Sequence, residues 1–171
     1  MARTDTFDLG ALRLHAGEGR RLELEVTPGA LELAGQRYVA EPERVDASLD
    51  VSRTNGGGYA LRLRFDAVVS GPCMRCLEHA GPAVSVDARE VDLPSAGAEL
   101  DSPYLDGELL DVRAWVHDAF ALALPDQIVC TSDCLGLCPI CAVPLRDAGP
   151  DHHHDSPPDS RWAKLAELRL E

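Results

Sequence analysis

Six cysteines offer the clearest chemistry in this sequence, and their spacing is uneven. Cys73-x2-Cys76 stands alone, whereas Cys130-x3-Cys134-x3-Cys138-x2-Cys141 places four thiols within twelve residues. A C-x2-C pair in a tight turn brings two thiolates to the separation a tetrahedral zinc needs, with Zn–S about 2.3 Å. Backbone N–H groups in such a turn point at the sulfurs and stabilise their charge. In the last pair, Pro139 removes one donor and stiffens the entry to the turn. Thiolates without an accompanying redox domain suit a closed, structural zinc site better than an iron–sulfur cluster.

Three partitions of the ligands follow from the spacing. The leading one is a local site of Cys130, Cys134, Cys138 and Cys141, with one zinc per chain. A ribbon-like site would instead join Cys73 and Cys76 to Cys138 and Cys141, stapling the first half of the chain to the last part. Six cysteines with His152 and His154 also make eight ligands, enough for two tetrahedral sites. Taken alone, the His152–His154 run reads as a solvated loop that picks up metal in vitro, helped by Asp151 and Asp155. Buried, inert thiols are the plain alternative for some of the six.

A C-x2-C pair can also be a redox dithiol, but that chemistry needs the first cysteine at a helix N-terminus after a strand. Cys73 is followed by a second strand-like run, so redox catalysis is the minor reading. The sequence holds no nucleophile elbow, Walker loop, dinucleotide fingerprint or HExxH. The expectation is a protein that is not an enzyme.

The elements that must position these thiols begin with a β-rich stretch. Leu22–Val26 and Tyr59–Phe65 alternate apolar and charged side chains, as half-buried strands do, which puts Arg62 and Arg64 on an outer face. Asn55-Gly56-Gly57-Gly58 is a turn signal joining a strand over Val45–Ser52 to the Tyr59 strand. A third strand is expected near Ala83–Val91. Residues 92–107 read as an acidic loop. Asp111 is a good N-cap, and Val112, Val116, Ala119, Phe120 and Ala123 recur at helical spacing until Pro125 stops the run. His117, on or beside this helix, reads as a surface or satisfied core side chain. After the cysteines, Asp147–Asp159 reads as a polar connector. The segment from Ser160, with Trp162, Leu165, Ala166 and Leu168, reads as a short terminal helix capped by Asp159. The fold class is therefore α+β: a β-rich region with a closing helix over residues 1–125, then a cysteine-rich, zinc-binding tail and terminal helix over 126–171.

Charge narrows the choice of partner. Residues 78–160 carry 3 basic and 16 acidic groups, while residues 1–77 are nearly balanced with 10 and 11. An acidic surface repels phosphate, so a general electrostatic grip on nucleic acid is excluded as the leading idea. A basic protein partner is favoured. Arg62, Arg64 and Arg75 remain as a local RNA contact on the more neutral half. No apolar stretch approaches the ~18 residues that span a bilayer, and Met1–Asp5 has no signal-peptide character. A cytoplasmic, reducing location is expected, which argues against three structural disulfides.

The order of motifs resembles a known family. It runs from the Cys-x-Arg-Cys-Leu turn (Cys73, Arg75, Cys76, Leu77) through an Asp-initiated helix ending in Leu-Ala-Leu-Pro (Leu122–Pro125). Next come Cys-x3-Cys-x-Gly-Leu-Cys-Pro-x-Cys (Cys130 to Cys141) and Asp-x-Arg-Trp-Ala-x-Leu (Asp159 to Leu165). In these respects residues 65–171 are similar to the bacterial YceD family of large ribosomal RNA subunit accumulation proteins. Two positions depart from the family pattern: Ala142 stands where a knuckle of this kind usually has Gly, and Ser160 where the terminal motif usually has Pro. The resemblance implies a role in accumulation of the large-subunit (23S) ribosomal RNA. The partner it implies is a ribosomal protein or a large-subunit assembly intermediate.

Overall fold

The computed structural model describes residues 5–94, 97 and 100–154. The expected terminal helix from Ser160 lies outside the described residues. The chain divides into two compact units, Met1–Cys134 and Leu135–Glu171.

The first unit is β-rich. Its long strand β6 (Tyr59–Pro72) is the axis on which the main sheet is built. β5 (Val45–Arg53) pairs antiparallel with its first half, from Ala47↔Phe65 to Arg53↔Tyr59. β8 (Ala83–Asp92) pairs with β6 from Tyr59↔Asp92 to Val68↔Ala83. β2 (Gly19–Val26) lies outside β5, and β4 (Gln36–Glu41) pairs with the late part of β6 and carries β3 (Ala30–Leu33). The β5–β6 turn falls at Thr54–Gly58, where the Thr54 N–H donates to the Gly58 carbonyl at 2.9 Å and Gly57 takes a φ of 83°. A glycine is the residue for that left-handed geometry, so the Asn-Gly-Gly-Gly signal marks the hairpin correctly.

Alternation decides which face is buried. Along β6, Tyr59, Leu61, Leu63, Phe65, Ala67 and Val69 are all buried, while Arg62 and Arg64 are half-exposed. Leu49 and Val51 of β5 and Val84 and Val86 of β8 complete that apolar face. A second, smaller sheet joins β1 (Thr6–Asp8), β10 (Leu109–Asp111) and β9 (Leu105–Asp106). β7 (His79–Ala80) pairs with the end of β6 through Gly71↔Ala80 and Pro72↔His79.

One α-helix occurs among the described residues, α1 (Val112–Leu122), besides a single 3-10 turn at Gly10–Leu12. Asp111 caps it as expected, its carboxylate accepting from the Ala114 N–H at 2.9 Å. Val112, Trp115, Val116, Ala119 and Phe120 are buried, and the helix lies against β8, β1 and β2. Trp115 stacks on Tyr104, with ring centroids 6.2 Å apart. His117 bonds the Pro28 carbonyl at 2.9 Å, a satisfied histidine. No helix among the described residues is long and apolar enough to cross a membrane.

Candidate metal centres

The first thiol pair sits at the tip of the β6–β7 hairpin. β6 ends at Pro72 and β7 begins at His79, so Cys73 and Cys76 occupy the connection. Gly71 prepares that approach. A Cβ on Gly71 would run into the ring of Tyr38, which packs against the strand and donates its hydroxyl to the Pro72 carbonyl at 3.0 Å. Within the turn the Leu77 N–H donates to the Cys73 carbonyl at 2.9 Å, the Arg75 N–H reaches Cys73 Sγ at 3.4 Å, and Leu77 takes a φ of 64°. This is the thiolate-cradling turn that the C-x2-C spacing implies. Cys73 stands between two strands and not at a helix N-terminus, so the context a thioredoxin-type dithiol requires is not the one it has.

Residues 127–134 dock onto this tip. The Met74 N–H donates to the Ile128 carbonyl at 2.8 Å, and the Arg75 guanidinium donates to Gln127 Oε1 at 2.7 and 3.1 Å and to the Cys134 carbonyl at 3.1 Å. Ile128 is fully buried. The consequence is a cluster of four sulfurs. Cys73 Sγ lies 3.8 Å from Cys134 Sγ, Cys76 Sγ lies 3.6 Å from Cys130 Sγ, and all four are within 4.8 Å of one another. Four sulfurs on a tetrahedron with Zn–S about 2.3 Å would be about 3.8 Å apart. The donor set and its spacing can hold a metal ion of that class.

The second pair forms a knuckle of the same kind within Leu135–Glu171. The Ala142 N–H donates to the Cys138 carbonyl at 2.9 Å, as the Leu77 N–H does to Cys73. The Cys138 N–H donates to the Val143 carbonyl at 2.8 Å, and Leu137 bridges Pro144. Here the sulfurs meet histidines: Cys138, Cys141, His152 and His154 bring their ligand atoms within 4.8 Å of one another, with Cys141 Sγ 3.7 Å from His152 Nε2.

The ligand grouping therefore differs from two of the three partitions. Cys130 and Cys134 do not join Cys138 and Cys141 in a local site. Met74, Arg75 and Gln127 hold their segment against the first turn instead. The ribbon arrangement of Cys73 and Cys76 with Cys138 and Cys141 is likewise not the one formed, because each turn already has its own second pair. Two sets of four result. The histidine run, which in isolation reads as a solvated loop, supplies two donors.

Electrostatics differ among the thiols. Burial pushes the Cys73 thiol up, but N–H groups of Cys76, Arg75 and Cys130 outweigh it and hold the thiol below its ordinary value. For Cys76 the Glu78 N–H acts downward, while burial and the thiols of Cys73, Cys130 and Cys134 push it well above. The Cys141 N–H, with His152 and the Ile140 N–H, holds Cys138 low in the other group.

Ala142 has a φ of 57°. A left-handed residue with a Cβ costs about 1–2 kcal/mol, and part of that is regained in the unfolded chain when glycine replaces it. Ala142→Gly is expected to stabilise the second knuckle by about 0.5–1 kcal/mol. Slower amide exchange at Cys138 and Ala142 would register the gain; unchanged exchange would show that the αL geometry is not under strain.

The three arginines expected as an RNA contact all have protein partners. Arg62 forms a two-pronged pair with Asp87, at 2.6 and 2.7 Å. Arg64 reaches Asp50 at 2.8 Å, where Arg21 also binds at 2.6 Å. Arg75 is the tie between the first turn and residues 127–134. The Arg21 and Arg64 guanidiniums hold the Asp50 carboxyl below its ordinary 3.8, and Arg62 does the same for Asp87. A depressed carboxylate stabilises the fold above the unfolded value and loses that contribution as pH falls through the folded one. Asp50→Asn should therefore be less stable than the parent at neutral pH, with the gap closing below about pH 3.8. Urea midpoints taken across pH read the effect, which solvent screening keeps small.

The family model for large ribosomal RNA subunit accumulation protein YceD matches residues 61–169 of this chain. An uncharacterized protein of Mycobacterium tuberculosis (strain ATCC 25618 / H37Rv) is 38% identical over 163 residues, which are 91% of this chain and 78% of the relative. An uncharacterized protein of Mycobacterium leprae (strain TN) is 30% identical over 161 residues, 82% of this chain and 72% of the relative. No solved structure matches the chain.

Proposed function

This chain belongs to the YceD family, and from that premise we propose that it is a non-enzymatic, cytoplasmic ribosome-biogenesis factor supporting accumulation of the large-subunit (23S) ribosomal RNA. The family match over residues 61–169 carries the reading. It acts by binding a basic ribosomal protein or assembly factor on an intermediate of the large subunit. The charge pattern supports that partner: residues 78–160 hold 16 acidic groups against 3 basic ones, and such a surface attracts a cationic protein and repels bare RNA. With Arg62 and Arg64 already paired to carboxylates, a direct contact to rRNA would have to displace those pairs.

Zinc at the four-thiolate cluster has a structural part in this reading. When bound it would supply a closed tetrahedral link, with no open position for substrate. The chain's own residues do the rest: Arg75 and Met74 bring residues 127–134 to the hairpin tip, and Gly71 lets Tyr38 brace it.

The test is made in cells of the source organism. Depletion should lower mature 23S rRNA relative to small-subunit rRNA, and tagged protein should sediment with large-subunit precursors in a gradient. Normal rRNA ratios, with all the protein at the top of the gradient, would leave a zinc-stabilised adaptor for a non-ribosomal basic protein as the better account.

A further inference from the structure

We propose that Cys138, Cys141, His152 and His154 form a second metal site of the Cys2His2 class. Zinc is the ion these donors suit, and the site loads independently of the four-thiolate cluster. The inference does not depend on the ribosomal role. It starts from the donors. Their ligand atoms lie within 4.8 Å of one another, and the 3.7 Å between Cys141 Sγ and His152 Nε2 is close to the separation of about 3.6 Å for sulfur and nitrogen on one tetrahedral zinc.

The orientation of the histidine run is selective. His152 and His154 join the thiols, with their rings edge to face at 4.8 Å, whereas His153 between them turns its Nδ1 to the Asp151 carbonyl at 2.7 Å. A solvated tract that scavenges metal has no reason to sort its members in this way. The chain is also turned toward the site, since the His152 N–H closes a turn on the Gly149 carbonyl at 2.9 Å. The thiols are set beforehand by the knuckle bonds from Ala142 to Cys138 and from Cys138 to Val143.

Size supplies the second argument. Among its described residues, 135–154, the second unit has no helix or named strand. Leu135, Ile140 and Val143 are exposed. Units below about 40 residues usually need a disulfide, a metal or a partner to hold their fold. Cys138 and Cys141 share one turn, so a disulfide between them would not tie in the histidines, whereas a metal joins all four donors.

The experiment uses the full chain, stripped of metal under reducing conditions and titrated with Co2+ and then Zn2+. The parent should take up about two ions, with one cobalt spectrum of an all-thiolate site and one of a mixed sulfur–nitrogen site. The double variant His152→Ala/His154→Ala should take up about one, keep only the all-thiolate spectrum, and retain the parent's β-sheet circular dichroism. His153→Ala should still bind about two. Uptake of one ion by the parent would overturn the proposal, as would two ions retained by the double variant. Equal loss in His153→Ala and the double variant would also overturn it, since that marks unselective chelation by the run. Rebinding by Cys138→Ser/Cys141→Ser supplies a second reading: about one ion is expected, and two would again overturn the assignment. None of these outcomes bears on sedimentation with subunit precursors, so the two readings fail separately.

Discussion

Cys76→Ser is expected to abolish tight metal binding at the four-thiolate cluster and to release residues 127–134 from the β6–β7 tip. Cys76 is buried among three other sulfurs, 3.6 Å from that of Cys130. Serine cannot supply the thiolate, and it leaves the remaining three without a closed tetrahedron. Isolated zinc-binding peptides gain about 10–16 kcal/mol from their metal. Here the sheet has its own core, so only part of that sum is at stake, yet loss of a structural metal belongs to the changes that cost more than about 4 kcal/mol. Proteolysis should shift to residues 127–134, while amide protection of β5, β6 and β8 persists. Removing the metal from the parent with a chelator should reproduce the pattern, more readily at low pH, where protons compete for the sulfurs. Arg75→Ala keeps every thiol and removes the tie to Gln127 and Cys134. Its expected effect is smaller, a fall of about 10–100-fold in metal affinity, as for other groups that orient ligands. Undiminished protection of residues 127–134 in Cys76→Ser would show that the metal is not what holds them.

Phe120→Ala should be the most damaging change in the core. The side chain is fully buried in the last turn of the face that α1 turns to the protein. Truncating a buried Phe costs about 3–5 kcal/mol, a large share of the roughly 5–15 kcal/mol that folds an ordinary domain. Leu122 lies two residues on but is 87% exposed, so Leu122→Ala should stay within about 0.5 kcal/mol of the parent. Urea unfolding of both variants checks the contrast. Equal midpoints would mean that the helix does not seal the sheet.

The site was legible in its parts. C-x2-C at 73–76 and 138–141 announces two thiolate turns, because such a turn is a local structure of five residues and its requirements are written locally. The family departure at Ala142 was legible as well, and the φ of 57° there is the cost expected of a residue with a Cβ. Arg75 also ties the first turn to residues 127–134, which spacing alone does not show, because Gln127 and the Cys134 carbonyl reach it only through the docking of that segment. Arg62 and Arg64 were rightly set on one strand face by alternation. Their partners Asp87 and Asp50 depend on which strands flank β6, and alternation is silent on neighbours.

What the sequence determined by itself was whatever is decided within a few residues: the Asp111 cap and the burial stripe of α1, the Thr54–Gly58 turn, the alternating faces of β6 and the two cysteine knuckles. The grouping of the eight candidate donors was decided only by the tertiary structure. Cys130 and Cys134 are nearer along the chain to Cys138 than to Cys76, and counting residues favours the nearer partner. Main-chain bonds from Met74 to Ile128 and the reach of Arg75 place them instead on the hairpin made more than fifty residues earlier. Ligand choice follows distance in space, and distance in space is set by strand pairing and by the docking of one segment on another, neither of which is encoded in spacing.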